Sequence, residues 1–368
     1  MANNVTIEQL ADIISTYLKA NKICQDSFTA SKDNVLQLLD KIGKTITIDG
    51  IFEDELQVLD GDNLPLGKTI EEYFLDFLPP QDYVKNAGVV NVTGVEPTAR
   101  PVKYSYTQGR KKWSTTKYFN DLERAFTSAE GASNAIAMIV ERLEQSYRLY
   151  RNGLKRELLG RFALTADALM TSAVTYSATT AYPVGKAVKN GTQVAIVFNA
   201  KPATSITWEN AIKQGYLSVV NLSESIALPA DTETGEAFIK RVKEVARMAK
   251  FENENNLNGS LVLPTPKDSL YLFVKSDVMP SLEVDTWAGA FHNELLALPA
   301  KVIEVKDFGS NSDAFAILCD ARGVKIHNSY NATRETILGD DDAIKYVKHT
   351  EDTAFYSANT FVHVFKKA

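Results

Sequence analysis

The chain has 368 residues, 45% of them hydrophobic, and a formal net charge of −6 at pH 7. This length is enough for a large buried core and for more than one domain, and the composition is not that of a disordered protein. The negative charge argues against a protein that its overall electrostatic field would draw to nucleic acid.

Cysteine usage and hydropathy indicate a protein made in the cytoplasm. Cys24 and Cys319 lie far apart and form no metal or redox motif, which is typical of a reducing compartment. No apolar run approaches the ~20 residues of a membrane-spanning helix. The N-terminal sequence MANNVTIEQLADII does not have the pattern of a secretion signal.

The first third of the chain predicts short elements. A capping-box pattern introduces a helix over residues 7–20, a second helix covers residues 35–42, and alternation at Ile46 and Ile48 predicts a strand.

Beyond residue 50, alternation at Leu56 and Val58 predicts another strand, and residues 60–63 (DGDN) predict a turn. Residues 68–77 fit a helix or a strand, and their aromatic content favours the strand.

Residues 81–118 predict an extended two-stranded arm. Alternation over residues 102–106 is followed by a turn at 108–110 and by a return strand over 113–118. An isolated hairpin is marginally stable in water, so such an arm needs a surface on which to lie.

Charge is distributed unevenly around this arm. Residues 50–80 are rich in acids and residues 100–118 contain bases but no acid, so these are either two solvated surfaces or complementary faces of two copies of the chain. In the second interpretation the contact residues of the arm are Arg100, Lys103, Arg110, Lys111, Lys112, Trp113 and Lys117. The acidic partner face is Glu53, Asp54, Glu55, Glu71, Glu72 and Asp76.

A long amphipathic helix is predicted over residues 129–165. Its apolar stripe recurs every three or four residues, and its other face carries charged residues that include Arg151 and Lys155. About 30 helical residues would span about 45 Å. Gly153 and Gly160 are unfavourable inside a helix and are candidate points for a break or kink.

Residues 190–330 predict a mixed α/β domain in which strands alternate with helices. The predicted strands are 194–198, 270–274 and 302–305, the predicted helices are 208–228, 236–250 and 285–291, and residues 314–318 and 323–326 form an antiparallel pair around Asp320. Residues 354–365 predict one long strand that returns to a sheet.

The sequence contains no motif that points to catalysis. Its four histidines lack metal-ligand spacing, and residues 340–342 (DDD) lack the alternating ligands and glycine of a calcium loop. Nucleotide-binding and nucleophile-elbow motifs are missing as well. We therefore expect no cofactor, no metal and no enzymatic activity.

Several stretches in their order resemble the major capsid proteins of tailed bacteriophages with the Hong Kong 97-type fold, and are most similar to those of phi-29-like short-tailed phages. They are LPLGKTIEEYFLDF (64–77), VKYSYTQGRKKWSTTKY (102–118), LERAFTS (122–128), SDVMPSLEVDTWAGAFH (276–292), AILCDARGVKIHN (316–328) and YSANTFVHVF (356–365).

The resemblance implies an α+β fold of named parts. These are an N-terminal arm with short helices (1–50), peripheral-domain strands (51–77), an extended β-hairpin called the E-loop (78–118), a peripheral domain with a long spine helix (119–171), an axial domain (172–330) and peripheral-domain return strands (331–368).

The resemblance further implies that pentamers and hexamers of the chain build an icosahedral shell around a double-stranded DNA genome. Expected partners are other copies of the chain, a scaffolding protein and a portal, with no sequence-specific DNA binding and no membrane. The protein would be made in the host bacterial cytoplasm and end in the virion. The alternatives are an encapsulin-type nanocompartment shell protein and, in another class, a soluble α/β enzyme or ligand-binding protein.

Overall fold

The structure is a computed structural model that describes residues 52–64, 69–75, 99–104, 109–118, 129–282, 299–338 and 343–368. Several predicted features lie outside these residues: the helices at 7–20, 35–42 and 285–291, the strand at Ile46 and Ile48, residues 340–342 and most of the arm.

Two helices dominate the elements, and most of the strands are short. In chain order the elements are β1 (Ile70–Leu75), β2 (Ala99–Tyr104), β3 (Lys111–Tyr118), α1 (Ala129–Thr171), β4 (Val174–Thr175), β5 (Ala187–Asn190), β6 (Gln193–Val197), α2 (Trp208–Lys213), β7 (Leu217–Val220), β8 (Ser223–Ile226), α3 (Thr232–Met248), β9 (Leu270–Lys275), α4 (Met279–Leu282), β10 (Lys301–Val305), β11 (Ala314–Asp320), β12 (Val324–Leu338), β13 (Ala343–Tyr356) and β14 (Val362–Lys367). Within the described residues, 3-10 turns cover Gln57–Leu59 and Ala321–Gly323.

The chain divides into two compact units. Among the described residues, the first contains 52–53, 112–118, 129–148, 332–338 and 343–348. The second contains 54–64, 69–75, 99–104, 109–111, 149–282, 299–331 and 349–368.

A three-layer core organises the second unit. Its central sheet has the strand order β10-β9-β11-β14-β8. Every residue of β11 is buried, which is expected of a strand that is covered on both faces. Ile317 and Cys319 pack in the cluster that contains Phe162 of α1, whereas Ala316 and Leu318 pack in the cluster of α3.

Helix α3 packs against the central sheet through the apolar face that the sequence predicts, because Phe238, Val242 and Val245 are all buried in this cluster. A separate four-stranded sheet, β4-β5-β6-β7, packs around the buried Trp208 of α2.

The predicted long helix is confirmed and extends six residues further, to Thr171. Its apolar stripe is buried at Leu143 and Tyr147 in the first unit and at Leu158 and Phe162 in the second. The expectation of a break at Gly153 or Gly160 is wrong, because α1 is continuous through both positions.

Local geometry corrects three of the predicted elements. Leu56 and Val58 do not lie in a strand, because a 3-10 turn brings Leu56 and Leu59, three residues apart, to the same buried side. Residues 60–63 do not form a turn, since the Gly61 amide donates to the carbonyl oxygen of Ile326 at 2.9 Å.

The predicted helix over 208–228 ends at Lys213. Gly215 follows with a φ of +71°, a backbone conformation that ends helices, and strands β7 and β8 take the remaining residues.

Two predicted strand arrangements are also wrong. The predicted antiparallel pair around Asp320 does not form: β11 pairs with β9 and β14, and β12 pairs with β13. A 3-10 turn separates β11 from β12, and Asp320 caps it by accepting from the Arg322 amide. The single strand over 354–365 is divided between β13 and β14, and the Ser357 amide between them donates to the carbonyl oxygen of Gly323 at 2.6 Å.

The strand pairing of the predicted arm differs as well. Among the described residues, β2 pairs with β1 and not with β3, in an antiparallel register from Ile70 opposite Tyr104 to Leu75 opposite Ala99. β3 joins the sheet of β12 and β13. Its Trp113 packs edge-on against Tyr147 of α1, with ring centroids 5.7 Å apart, and this contact holds β3 against the helix.

Candidate subunit-contact surfaces

The β1–β2 ribbon contains both predicted charge types. Its register sets Glu71 opposite Lys103 and Phe74 opposite Arg100 along the paired backbones. Residues that the sequence assigned to the faces of two different copies are thus also neighbours within one ribbon. Asp76 lies outside the described residues.

Glu72 fastens the base of the ribbon to the turn between β13 and β14. Its carboxylate accepts from Ser357 Oγ at 2.7 and 2.9 Å and from the Tyr104 hydroxyl at 2.8 Å. The Tyr104 oxygen in turn accepts from the Ala358 amide at 2.9 Å. Burial, opposed by the Ala358 amide and reinforced by Glu72, raises the pKa of Tyr104 to about 12. The neighbouring Tyr73 is 69% exposed.

Of the basic residues at the start of β3, one contacts other side chains of its own subunit and two are exposed to solvent. The Arg110 guanidinium lies 3.7 Å from the carboxylate of the buried Glu351 and 4.5 Å from the centre of the Tyr330 ring. Lys111 and Lys112 are exposed. Arg110 therefore has a role inside its own subunit, and the two lysines form the part of this cluster that faces solvent.

The predicted acidic face also contains both a residue bound within its own subunit and residues exposed to solvent. Asp54 accepts from Lys155 Nζ and, at 2.9 Å, from Asn152 Nδ2. Burial pushes the pKa of Asp54 upward, but these hydrogen bonds outweigh it and hold that pKa below its usual value. Glu53 and Glu55 are exposed beside it.

Sequence reasoning missed a buried ion-pair network on α1. Lys155, expected on the charged outer face, is fully buried, and its Nζ lies 2.7 Å from Asp60 Oδ1 as well as against Asp54. Arg151 lies 3.2 Å from the same Asp60 oxygen and donates to the carbonyl oxygen of Ile326 at 2.9 Å. The network ties the chain at 54–60 to the helix. The acid-rich stretch at residues 50–80 was its only visible signal in the sequence.

The residues that the structure describes contain no group of three or more His, Cys, Asp or Glu side chains arranged to hold a metal. In the same part of the chain, no helix is long and apolar enough to cross a membrane.

Comparisons with solved structures show the fold. A chain in the capsid structure of Staphylococcus phage Andhra gives a TM-score of 0.56 at 12% identity, covering 89% of this chain and 87% of that one. A chain in the structure of the head fiber and inner core protein gp22 of native bacteriophage P68 gives a TM-score of 0.57 at 11% identity, covering 89% of this chain and 88% of that one. A chain in the capsid structure of Cyanophage P-SCSP1u gives a TM-score of 0.51 at 7% identity, covering 89% of this chain and 92% of that one. The predicted α+β capsid fold is thereby confirmed.

Comparison with families shows what kind of protein this is. No curated protein matches the sequence. The family model for the Phi29-like phage major capsid protein matches residues 19–366, which is nearly the whole chain. The match agrees with the resemblance of the sequence stretches and with the capsid fold. The chain therefore belongs to the Phi29-like phage major capsid protein family.

Proposed function

We propose that this major capsid protein assembles through rings of five and six copies into an icosahedral shell that encloses double-stranded DNA. The observation that carries the proposal is the match of residues 19–366 to a family of major capsid proteins. Its role in the virion is structural, without a catalytic step. A separate scaffolding protein and a portal would take part in assembly in the host bacterial cytoplasm.

The β1–β2 ribbon supports contact between copies. A two-stranded ribbon is marginal by itself, and within the described residues no third strand pairs with it. Glu72 and Tyr104 fix its base, whereas Tyr73 is left largely exposed. We assign residues 78–118, which contain β2 and β3, to an E-loop that lies on a neighbouring copy.

The remaining parts follow the same scheme. α1 is the spine helix of a peripheral domain over 119–171, residues 172–330 form the axial domain, and residues 331–368 supply return strands. Residues 1–50 act as the N-terminal arm and residues 51–77 as peripheral-domain strands.

Charge sets the register between copies in this proposal. Lys111 and Lys112 are exposed bases at the start of β3, and Glu53 and Glu55 are exposed acids. Opposed surfaces of this kind steer association and disfavour wrong partners. Asp54, Glu72 and Arg110 instead hold their own subunit together.

The proposal is tested by light scattering and nuclease digestion of particles from infected cells. Particles far larger than a six-copy ring that protect double-stranded DNA are expected. Particles that contain a protein cargo instead would indicate a nanocompartment, and a monomer under all conditions would contradict shell assembly.

A further inference from the structure

Lys201 is a buried ammonium enclosed by backbone oxygens. Its side chain is 2% exposed, and its Nζ donates to the carbonyl oxygens of Ala178 at 2.7 Å, Thr180 at 3.0 Å, Pro202 at 3.1 Å and Thr204 at 3.2 Å. An ammonium has three N–H donors, so four oxygens share them. The arrangement thus resembles coordination of a cation more than a set of directional hydrogen bonds.

The charge of Lys201 is balanced by dipoles. Among the described residues, no carboxylate pairs with its Nζ, and the ring of Tyr176 lies 5.7 Å away. The nitrogen–oxygen distances exceed the ~2.3–2.6 Å of calcium and the ~2.0–2.1 Å of magnesium. Neutral carbonyl oxygens at this spacing suit a monovalent cation of the ammonium or potassium class.

The cage joins two segments that apolar burial does not hold. Residues 179–181 and 202–205 are exposed, so apolar burial does not fix them. Two backbone hydrogen bonds between Tyr182 and Lys201, of 3.0 and 3.1 Å, close the loop at one side. The Ala178 oxygen also accepts from the Ile206 amide at 3.1 Å. The ammonium is the common partner of both segments.

We propose that these four carbonyl oxygens form a monovalent-cation site that the chain fills with its own Lys201 ammonium, and that the site binds a primary alkylammonium ion once the lysine is removed. The built-in cation sets the shape of the exposed loops beside the β4–β7 sheet without any dependence on dissolved salt.

Lys201→Ala removes three carbons and the nitrogen, which are the atoms of n-propylammonium. Because the carbonyl oxygens lose a buried partner, the variant should unfold at a temperature about 5 °C lower. Added n-propylammonium chloride should restore part of this loss. Wild type and Lys189→Ala, which changes an exposed lysine of β5 in the neighbouring sheet, should not respond.

Sodium chloride and 1-propanol together are the control, because they supply the ions and the alkyl chain without the ammonium. An equal effect of this mixture overturns the proposal, as does a Lys201→Ala variant as stable as wild type. If the variant does not fold, nitrogen-15 NMR of the unassembled wild-type subunit decides the question. A lysine NH3+ signal protected from exchange with water, and lost in Lys201→Met, is expected. Exchange as fast as at Lys189 overturns the proposal.

Discussion

The backbone carbonyl group of Phe308 packs directly against Gly160 in the middle of α1. A Cβ added to Gly160 would overlap the Phe308 oxygen and would stand 3.0 Å from the carbonyl carbon. Gly160 therefore marks a close approach between the helix and the loop after β10, and the helix continues through it without a break.

Gly160→Ala should destabilise the protein by about 2–4 kcal/mol, because the helix or the loop at Phe308 must move to admit the methyl group. Chemical denaturation followed by circular dichroism measures the change in the free energy of unfolding.

Gly153→Ala is the matched control in the same helix. The nearest atom to its added Cβ is the flexible end of Arg156 at 3.9 Å, so the site is open. Alanine favours a helix over glycine, and this variant should gain up to about 1 kcal/mol. Equal effects of the two substitutions would contradict the close approach at Phe308.

Lys155→Met should cost about 3–5 kcal/mol, because it leaves Asp54 and Asp60 without their shared buried cation. The same denaturation experiment measures the loss. Arg148→Ala is the control, since its pair with Glu144 is solvent-exposed and worth less than about 1 kcal/mol. A loss at Lys155 as small as that at Arg148 would show that the network does not hold the chain at 54–60.

Stability should fall in acid because of Glu224. Burial pushes the pKa of Glu224 upward, but hydrogen bonds from His363 and Arg241 outweigh it and lower the pKa from 4.5 to about 2. The folded protein thus binds this proton more weakly than the unfolded chain does. The stabilisation is present above pH 4.5 and is lost as the pH falls towards 2, by up to roughly 3 kcal/mol.

Glu224→Gln should flatten the dependence of the free energy of unfolding on pH within this window. Glu233→Gln, at an exposed position of α3, should leave the dependence unchanged. Parallel acid dependence in wild type and Glu224→Gln would refute the assignment.

The double variant Lys111→Glu with Lys112→Glu should fold normally and assemble poorly, because it reverses the exposed charge proposed to meet a neighbouring copy. Arg110 is left unchanged because it serves Glu351 and Tyr330 within its own subunit. Circular dichroism checks the fold, and sedimentation measures the assembled fraction.

Lys186→Glu with Lys189→Glu makes the same charge change at exposed positions elsewhere and should assemble normally. Normal assembly of the first pair would rule out charge complementarity at this surface.

Periodicity in the sequence predicted elements better than it predicted their partners. The stripes of α1 and α3 follow from their spacing, and the aromatic residues of β1 correctly favoured a strand. Alternation shows which faces a strand has and not which strand lies beside it. The partners of β2 and β11 were accordingly predicted wrongly.

The burial of two lysines could not be predicted from the sequence either. Lys155 falls on the polar side of a helical stripe, and only the folded path of residues 54–60 covers it. Lys201 is buried by backbone carbonyl groups, which every residue type carries, so no residue pattern marks it.

Electron microscopy of the protein, purified with and without its scaffolding protein, tests the central claim most directly. The account predicts closed shells of uniform size built from rings of five and six copies, with the E-loop (residues 78–118) of each copy lying on a neighbour. A compact monomer under every condition, or shells in which residues 78–118 contact only their own subunit, would contradict it.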